Sequence, residues 1–218
     1  MTWFGKLYLW ATLRLYNELA WAYDPASWLV SLGRWSEWRL SALNQVTGTQ
    51  VLEIGFGTGE LLSEMADRGL DPVGLDASIA MHRVAARKLA RRGLNVVRAH
   101  GRSQTIPFPD ESFDSVVSTF PADYILDSAT LEEIARVLRR PNPSIGQAGG
   151  RLVVAGLVVT VNVSVWKRFL QLLFGVQNGQ VLRRFTSLAQ AAGLRVTVLE
   201  QGSDRVQVPV VIAERCEP

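Results

Sequence analysis

The sequence is poor in the residues that build cross-links and metal centres. Its 218 residues include one cysteine, Cys216, and two histidines, His82 and His100. A single cysteine excludes a disulfide framework and any zinc or iron–sulfur site that needs several thiolates. The two histidines are far apart in sequence, so we expect no histidine-rich metal centre and no metal. These counts are compatible with a reducing cytoplasm.

Long apolar runs are also scarce. The uncharged apolar run near the start, residues 7–13, ends at Arg14, whereas a membrane-spanning helix needs about 20 residues. The start lacks a small-residue cleavage site in the right setting, so no signal peptide is predicted. We expect a cytoplasmic protein, and leave open a peripheral position on the inner face of the membrane.

Neither sign of charge is in large excess. The chain has 23 Lys and Arg against 20 Asp and Glu, a net charge of +3 and a sequence pI of about 9.3. Such a surface permits nucleic acid or anionic lipid as a partner and requires neither. With 48% hydrophobic and 20% charged residues, the chain is expected to fold around one substantial core.

Strand and helix patterns alternate from residue 50 onward. Strands are predicted at 50–54, 72–75, 95–99, 114–119, 151–157, 195–200 and 205–213, and helices at 60–68, 79–92, 129–139 and 182–192. This alternation predicts an α/β fold with a parallel sheet and helices on both faces. Only the turn 201–204 separates the last two strands, so we expect a hairpin with one late strand antiparallel.

The first 45 residues show no strand pattern. We predict a helical lid at residues 1–45, broken near Asp24–Pro25 because proline restricts the residue before it, and a second domain at residues 46–218. Six of the seven tryptophans lie in this lid: Trp3, Trp10, Trp21, Trp28, Trp35 and Trp38. The first three share a basic and polar helix side, which is typical of a helix on an anionic bilayer. A second core contact and a dimer interface remain alternatives.

A glycine-rich loop follows the first predicted strand. The segment 51–59, VLEIGFGTG, places Gly55, Gly57 and Gly59 between a strand and a helix. Glycines permit tight turns and close approach of a ligand, and a helix N-terminus favours negative charge. Asp76 ends the next strand, where a carboxylate about 20 residues past the glycines typically binds ribose. The combination predicts an adenosine-containing ligand; the alternative is a tight turn with a helix-capping aspartate.

Glu53 distinguishes between adenosine cofactors. The nicotinamide fingerprint would place a glycine where the chain has Glu60. A carboxylate at Glu53, just ahead of the loop, would repel a pyrophosphate but suits a ligand that carries an ammonium and a sulfonium. The electrostatic contrast therefore favours S-adenosylmethionine over NAD.

Four ordered segments resemble the class I S-adenosylmethionine-dependent methyltransferases. They are VLEIGFGTGE, VGLDAS, IPFPDESFDSVVSTF, and LEEIARVLRRP followed by GGRLVV. More narrowly, they are similar to the methyltransferase-11 group, which includes ubiquinone and menaquinone biosynthesis enzymes. The resemblance covers roughly residues 45–160. It implies a Rossmann-like, seven-stranded, mostly parallel sheet whose last strand is antiparallel, and an S-adenosylmethionine-dependent methyltransferase. The resemblance does not specify the substrate, and our primary hypothesis is a small or lipid-like hydrophobic acceptor.

The resemblance also implies the cofactor residues. The methionine part would be lined by Glu53, Gly55, Phe56, Gly57 and Gly59. The ribose and the adenine edge would be held by Asp76, Ala77 and Ser78. Thr119, at the end of the fourth predicted strand, is a further expected cofactor contact.

Two features depart from the family pattern. Family members often have an acidic residue, which contacts the adenine amino group, where this chain has Arg102. Arginine only donates hydrogen bonds, so we predict that it stacks on the adenine while Ser103 or Gln104 makes the polar contact. The alternative is that Arg102 points to solvent or pairs with an acid. The second departure is a set of extra residues at 139–150, predicted to form a surface loop.

Catalysis by this reactive cofactor needs an in-line approach, a deprotonated nucleophile and a dry site rather than a catalytic triad. Tyr124, in the segment STFPADY, is predicted to orient the acceptor or to transfer a proton, with a packing role as the alternative. Tyr23 resembles the first residue of the family's Tyr-Asp pair that closes over the cofactor. His82 is expected at the surface, and His100 at the surface or at the cofactor edge.

Two other functions compete with methylation of a hydrophobic acceptor. A basic helix at 83–92 suggests a nucleic-acid methyltransferase, but charge runs are more often solvated faces. STFPADY also departs from the [DNS]-P-P-[YF] motif of base amino-group methylation, and Cys216 is misplaced for C5-pyrimidine chemistry. A non-catalytic S-adenosylmethionine-binding scaffold is opposed by the intact glycine loop and Asp76. The sequence specifies neither the acceptor, the methylated atom nor the oligomeric state.

Overall fold

The computed structural model describes residues 34–146, 148–157, 160–161, 178–199, 202–203 and 206–216. Residues 1–33 of the predicted lid, with Tyr23 and the tryptophans Trp3, Trp10, Trp21 and Trp28, lie outside these residues. The helices are α1 (Trp35–Leu43), α2 (Glu60–Asp67), α3 (Ile79–Arg91), α4 (Ser128–Val137) and α5 (Asn178–Ala191). Short 3-10 helices occupy Asp123–Leu126 and Pro143–Ile145.

Seven strands form the main sheet. They are β1 (Gln50–Ile54), β2 (Asp71–Asp76), β3 (Val97–His100), β4 (Ser115–Thr119), β5 (Arg151–Ala155), β7 (Leu194–Leu199) and β10 (Val210–Arg215). Their order across the sheet is β3-β2-β1-β4-β5-β10-β7. Only β10 runs antiparallel to its neighbours, β5 and β7. The predicted Rossmann-like sheet with an antiparallel last strand is therefore confirmed.

The connection between the last two long strands differs from the prediction. A hairpin with a turn at 201–204 was expected, but the last long strand begins at Val210 rather than at 205. Pro209 lacks the N–H that a strand running through it would donate to the sheet. Instead β9 (Val206–Gln207) pairs with β8 (Gly202–Ser203) and β6 (Thr160–Val161) in a separate three-stranded sheet.

The core lies in two layers on opposite faces of the sheet. Because successive side chains of a strand point to opposite faces, Leu52 and Ile54 of β1 pack with α4 and α5, where Phe185 is fully buried. Val51 faces the other layer, which is formed by α1, α2 and α3 and includes Leu43. The end of the predicted lid segment thus contributes to the core. None of the helices in the described ranges is long and apolar enough to cross a membrane.

Candidate functional site

The sheet reverses its winding direction between β1 and β4. The chain passes from β1 to β2 on one side, whereas β4 and β5 lie on the other. In open α/β sheets, ligands bind outside the carboxyl ends of the strands at such a point. The segments that follow β1, β2, β4 and β5 therefore define the candidate site.

The three glycines of the first loop have different structural roles. Gly55, Gly57 and Gly59 all have left-handed backbones, with φ values of 75°, 54° and 79°. A Cβ at Gly59 would lie 2.9 Å from the Cβ of Ala85, so this glycine lets α2 approach α3. A Cβ at Gly57 would meet no atom within 4 Å. Gly57 therefore borders open space, where a ligand can approach the loop closely.

Asp76 ties this loop to the end of β2. Its carboxylate is 3% exposed. One oxygen accepts a hydrogen bond from the N–H of Gly57 at 2.9 Å, and the other accepts from the N–H of Ser78 at 2.8 Å. The Ser78 hydroxyl caps α3 by accepting from Met81. The structure thus brings together the predicted ribose carboxylate and the predicted glycine loop.

Glu53 is a buried carboxylate at the base of the loop. It is 2% exposed, and its Oε2 has no hydrogen-bond partner among the described residues. Desolvation by burial raises the pKa of Glu53 well above its ordinary value, and the charge of Arg39 in α1 opposes this shift. A cationic group brought near this carboxylate would offset the cost of ionising it. The site therefore fits a ligand with positive charge.

Two hydroxyls hold the last carbonyl of β1. Ser118 and Tyr124 donate to the carbonyl of Ile54 at 3.0 and 3.2 Å, and the two hydroxyl oxygens lie 2.8 Å apart. A Cβ at Gly55 would lie 2.6 Å from the Tyr124 hydroxyl. Tyr124 therefore contacts the glycine loop directly. Thr119, the last residue of β4, directly follows Ser118 and is half-buried.

An aromatic pair covers the carboxyl ends of β4 and β5. Phe120 has a left-handed backbone (φ 48°), and its N–H donates to Ala155 at 2.7 Å. Its ring fills the space above Gly156, where a Cβ would lie 2.4 Å from a ring carbon. On the other side, the ring centroid lies 6.1 Å from that of Trp38 in α1. A left-handed phenylalanine costs about 1–3 kcal/mol and persists only where its surroundings fix it.

The residues predicted for the adenine side lie along the segment after β3. Arg102 is exposed, and its side chain makes no hydrogen bond or ion pair with any of the described residues. The buried Ser103 hydroxyl lies 3.0 Å from the Thr130 hydroxyl of α4. The Gln104 amide donates at 3.0 Å to Asp127, which caps the same helix. Ser103 and Gln104 thus anchor this segment to α4.

His82 was expected at the surface, and the structure corrects this. Its ring is half-buried against Phe56, with centroids 4.7 Å apart, and its Nε2 lies 3.2 Å from the carbonyl oxygen of Asp76. The reason is helical geometry. His82 lies in the first turn of α3, four residues after the Ser78 cap, and this position places its ring over the end of β2. His100 is exposed, and its Nε2 lies 3.0 Å from the carbonyl oxygen of Ala77. The two imidazoles therefore lie within hydrogen-bonding distance of the carbonyl groups of Asp76 and Ala77, in the turn between β2 and α3.

Sequence reasoning missed Trp38, Phe120 and Gly156 as a group. Trp38 was predicted only as one of the lid tryptophans, and Phe120 only as part of a segment near the reacting centre. The available signal was Gly156 inside the predicted strand 151–157, because a glycine within a strand pattern often marks the close approach of another part of the chain. Their contact joins parts of the chain that are remote in sequence, so local patterns do not report it.

Comparisons with known proteins agree with this geometry. Residues 51–141 match a family model described as a methyltransferase domain. A demethylmenaquinone methyltransferase of Renibacterium salmoninarum is 33% identical over 144 residues, covering 65% of this chain and 56% of that protein. The chain spans a little over half the length of the curated relatives of this kind.

Solved structures share the fold at low sequence identity. The [4+2]-cyclase SpnF superposes with a TM-score of 0.63 at 17% identity, covering 84% of this chain and 82% of that one. A geranyl diphosphate methyltransferase in complex with GPP and sinefungin gives a TM-score of 0.59 at 17% identity, covering 83% and 77%. The resemblance to the class I S-adenosylmethionine-dependent methyltransferases, and to their menaquinone group, that the sequence motifs predicted is therefore confirmed.

Proposed function

We propose that this chain is an S-adenosylmethionine-dependent methyltransferase that acts on a small, hydrophobic, quinone-like acceptor. The observation that carries the proposal is the glycine loop, which Asp76 ties to the end of β2 above the buried carboxylate of Glu53. This arrangement offers open space at Gly57, an acceptor for ribose hydroxyls, and negative charge for a cationic ligand. The curated relatives support the same activity.

Each side of the loop would hold a different part of the cofactor. The methionine part would lie against the loop and its carboxylate: Glu53, Gly55, Phe56, Gly57 and Gly59. The ribose and adenine would lie against Asp76, Ala77 and Ser78, with Arg102, Ser103, Gln104 and Thr119 as further contacts. When bound, S-adenosylmethionine supplies an electrophilic methyl group on a sulfonium.

The acceptor would lie over the aromatic pair. Trp38 and Phe120 present apolar rings at the carboxyl ends of β4 and β5, and Tyr124 lies in the short 3-10 helix that follows Phe120 in the chain. Such a surface favours a flat apolar ring and excludes water from it. Tyr124 would orient the acceptor or exchange a proton with it, and Tyr23 would close the site from the lid at residues 1–45. The catalytic domain would span residues 46–218.

A turnover assay tests the function directly. The wild-type chain is incubated with S-adenosylmethionine and a short-chain naphthoquinone that lacks one ring methyl and has been chemically reduced to the hydroquinone, because the sulfonium methyl needs an electron-rich acceptor. S-adenosylhomocysteine and the methylated product are measured by mass spectrometry. We expect both products in equal amounts. Cofactor binding without either product, across quinone and other hydrophobic acceptors, would favour a non-catalytic scaffold and contradict the proposal.

We also propose that the protein works in the cytoplasm, attached peripherally to the inner membrane face, because a quinone-like acceptor resides in the bilayer. The tryptophans of the lid support this, since a continuous helix from Trp3 to Trp21 would place Trp3, Trp10 and Trp21 on one side together with basic and polar residues. Changing these three to serine should reduce flotation with anionic vesicles. Equal flotation of wild type and variant would contradict a membrane role for the lid tryptophans.

A further inference from the structure

The positive charge of the chain is concentrated in one segment. Residues 77–109 contain seven of the 23 Lys and Arg and none of the 20 Asp and Glu. The rest of the chain holds the other sixteen basic residues and all twenty acidic ones, so it is acidic on balance. The net charge of +3 therefore comes from α3, β3 and the turn after β3.

Helix α3 divides its basic residues between two sides. Lys88 and Arg92 form ion pairs with Glu60 and Asp67 of the neighbouring α2 segment. On the other side, three exposed arginines repeat every four residues: Arg83, Arg87 and Arg91. At 3.6 residues per turn they span about 80° of the helix surface. Among the residues that the structure describes, none accepts a hydrogen bond from the side chains of these three or forms an ion pair with them.

One exposed apolar side chain accompanies this stripe. Ile79, one turn before Arg83, is 54% exposed. Helix α3 connects β2 to the edge strand β3. We call Ile79, Arg83, Arg87 and Arg91 the basic face. It borders the candidate cofactor site, because α3 begins directly after Asp76–Ser78.

We propose that the basic face docks on an anionic lipid bilayer. Exposed arginines that have no acidic partner among the described residues, next to the exposed Ile79, suit the boundary between headgroups and acyl chains, where each basic residue adds electrostatic attraction. A nucleic-acid backbone would use the arginines but would leave Ile79 without a partner. The choice of a bilayer rests on the proposed function, since a quinone-like acceptor would be drawn from it.

The test compares two triple variants of the full chain in vesicle flotation. R83Q/R87Q/R91Q removes three charges from the basic face. R183Q/R184Q/R195Q removes three exposed charges from α5 and β7, at the opposite end of the sheet. Vesicles contain either phosphatidylcholine alone or phosphatidylcholine with phosphatidylglycerol. We expect wild type and the α5–β7 variant to float with the anionic vesicles, and the basic-face variant to partition roughly 100-fold less.

A charge-preserving variant and a competing ligand complete the design. R83K/R87K/R91K should float like wild type, because charge rather than bidentate geometry attracts it to the surface. Equal partitioning of the two glutamine variants would overturn the proposal. So would unchanged flotation of R83Q/R87Q/R91Q together with lost binding to a DNA or RNA duplex, which would assign the face to nucleic acid. Turnover of a water-soluble quinone without vesicles does not involve membrane docking. Loss of this turnover would therefore contradict the proposed function, whereas loss of flotation alone would contradict the docking of the basic face.

Discussion

The two sides of the candidate site are built by different kinds of constraint. On the side that we propose for the cofactor, a short stretch of backbone and one carboxylate define the geometry: left-handed glycines after β1 and Asp76 at the end of β2. On the side that we propose for the acceptor, Trp38, Phe120 and Gly156 come from three remote parts of the chain. The geometry of the first side is determined by residues that are close in sequence, whereas the second side forms only when the sheet brings its residues together. A mutation on the first side should therefore reduce cofactor affinity, and a mutation on the second side should reduce methyl transfer without changing cofactor affinity.

The largest effect is expected at Asp76. A carboxylate accepts from the N–H groups of both Gly57 and Ser78, whereas an amide offers only one acceptor oxygen. Asp76→Asn therefore leaves a buried N–H facing an NH₂ group, and we expect about 100-fold weaker S-adenosylmethionine binding by calorimetry. Asp71→Asn, at the exposed start of the same strand, is the matched control and should bind normally. Normal binding by both variants would contradict the assignment of Asp76.

A change at Gly156 should damage the other side. A new Cβ would collide with the Phe120 ring, and the residue has a left-handed backbone with φ of 77°. We expect Gly156→Ala to lower the free energy of unfolding by about 1–3 kcal/mol and methyl transfer by about tenfold or more. Chemical denaturation and quinone turnover measure these effects. Wild-type turnover would show that the position of the Phe120 ring is unimportant for the acceptor.

Glu53 should make stability depend on pH. Burial raises its pKa above the ordinary value of 4.5, so the folded chain keeps a proton that the unfolded chain loses first. The free energy of unfolding of the cofactor-free chain should therefore fall as pH rises from about 4.5 towards the raised pKa. Glu53→Gln should remove this component of the fall, measured by denaturant unfolding across pH 4–8. Identical pH profiles for both proteins would contradict the burial of an uncompensated carboxyl.

The smallest effect is expected at Arg102, because its side chain is exposed. If the guanidinium stacks on the adenine, Arg102→Ala should weaken cofactor binding several-fold, by about 1 kcal/mol. Arg102→Asp, the residue that resembles the family pattern, should be tolerated. Calorimetry on the three proteins measures this, and equal affinities would show that Arg102 faces away from the cofactor.

The sequence predicted the parts of the fold that depend on local periodicity. The buried strand at Gln50–Ile54 and the glycine loop after it were recognisable because alternation, turn chemistry and helix start agree there. The last strand was predicted too long, since Pro209 and the small sheet around Val206–Gln207 interrupt it. His82 was misjudged because its burial depends on how α3 packs against Phe56.

Contacts between remote segments account for what sequence reasoning missed at the site. The hydroxyls of Ser118 and Tyr124 converge on the carbonyl of Ile54 only because β4 pairs with β1. Likewise, the Trp38–Phe120 contact requires α1 to pack on the sheet. Roles for Tyr124 and Tyr23 in methyl transfer remain predictions.

The separation of the two sides is tested most directly by one pair of titrations. S-adenosylmethionine is titrated by calorimetry into Gly57→Ala and Gly156→Ala, each beside wild type. Gly57 borders the open space at the loop, whereas Gly156 lies under the Phe120 ring. We predict about tenfold or greater loss of affinity for Gly57→Ala and wild-type affinity for Gly156→Ala. Equal losses in both variants, or a loss in Gly156→Ala alone, would contradict the account.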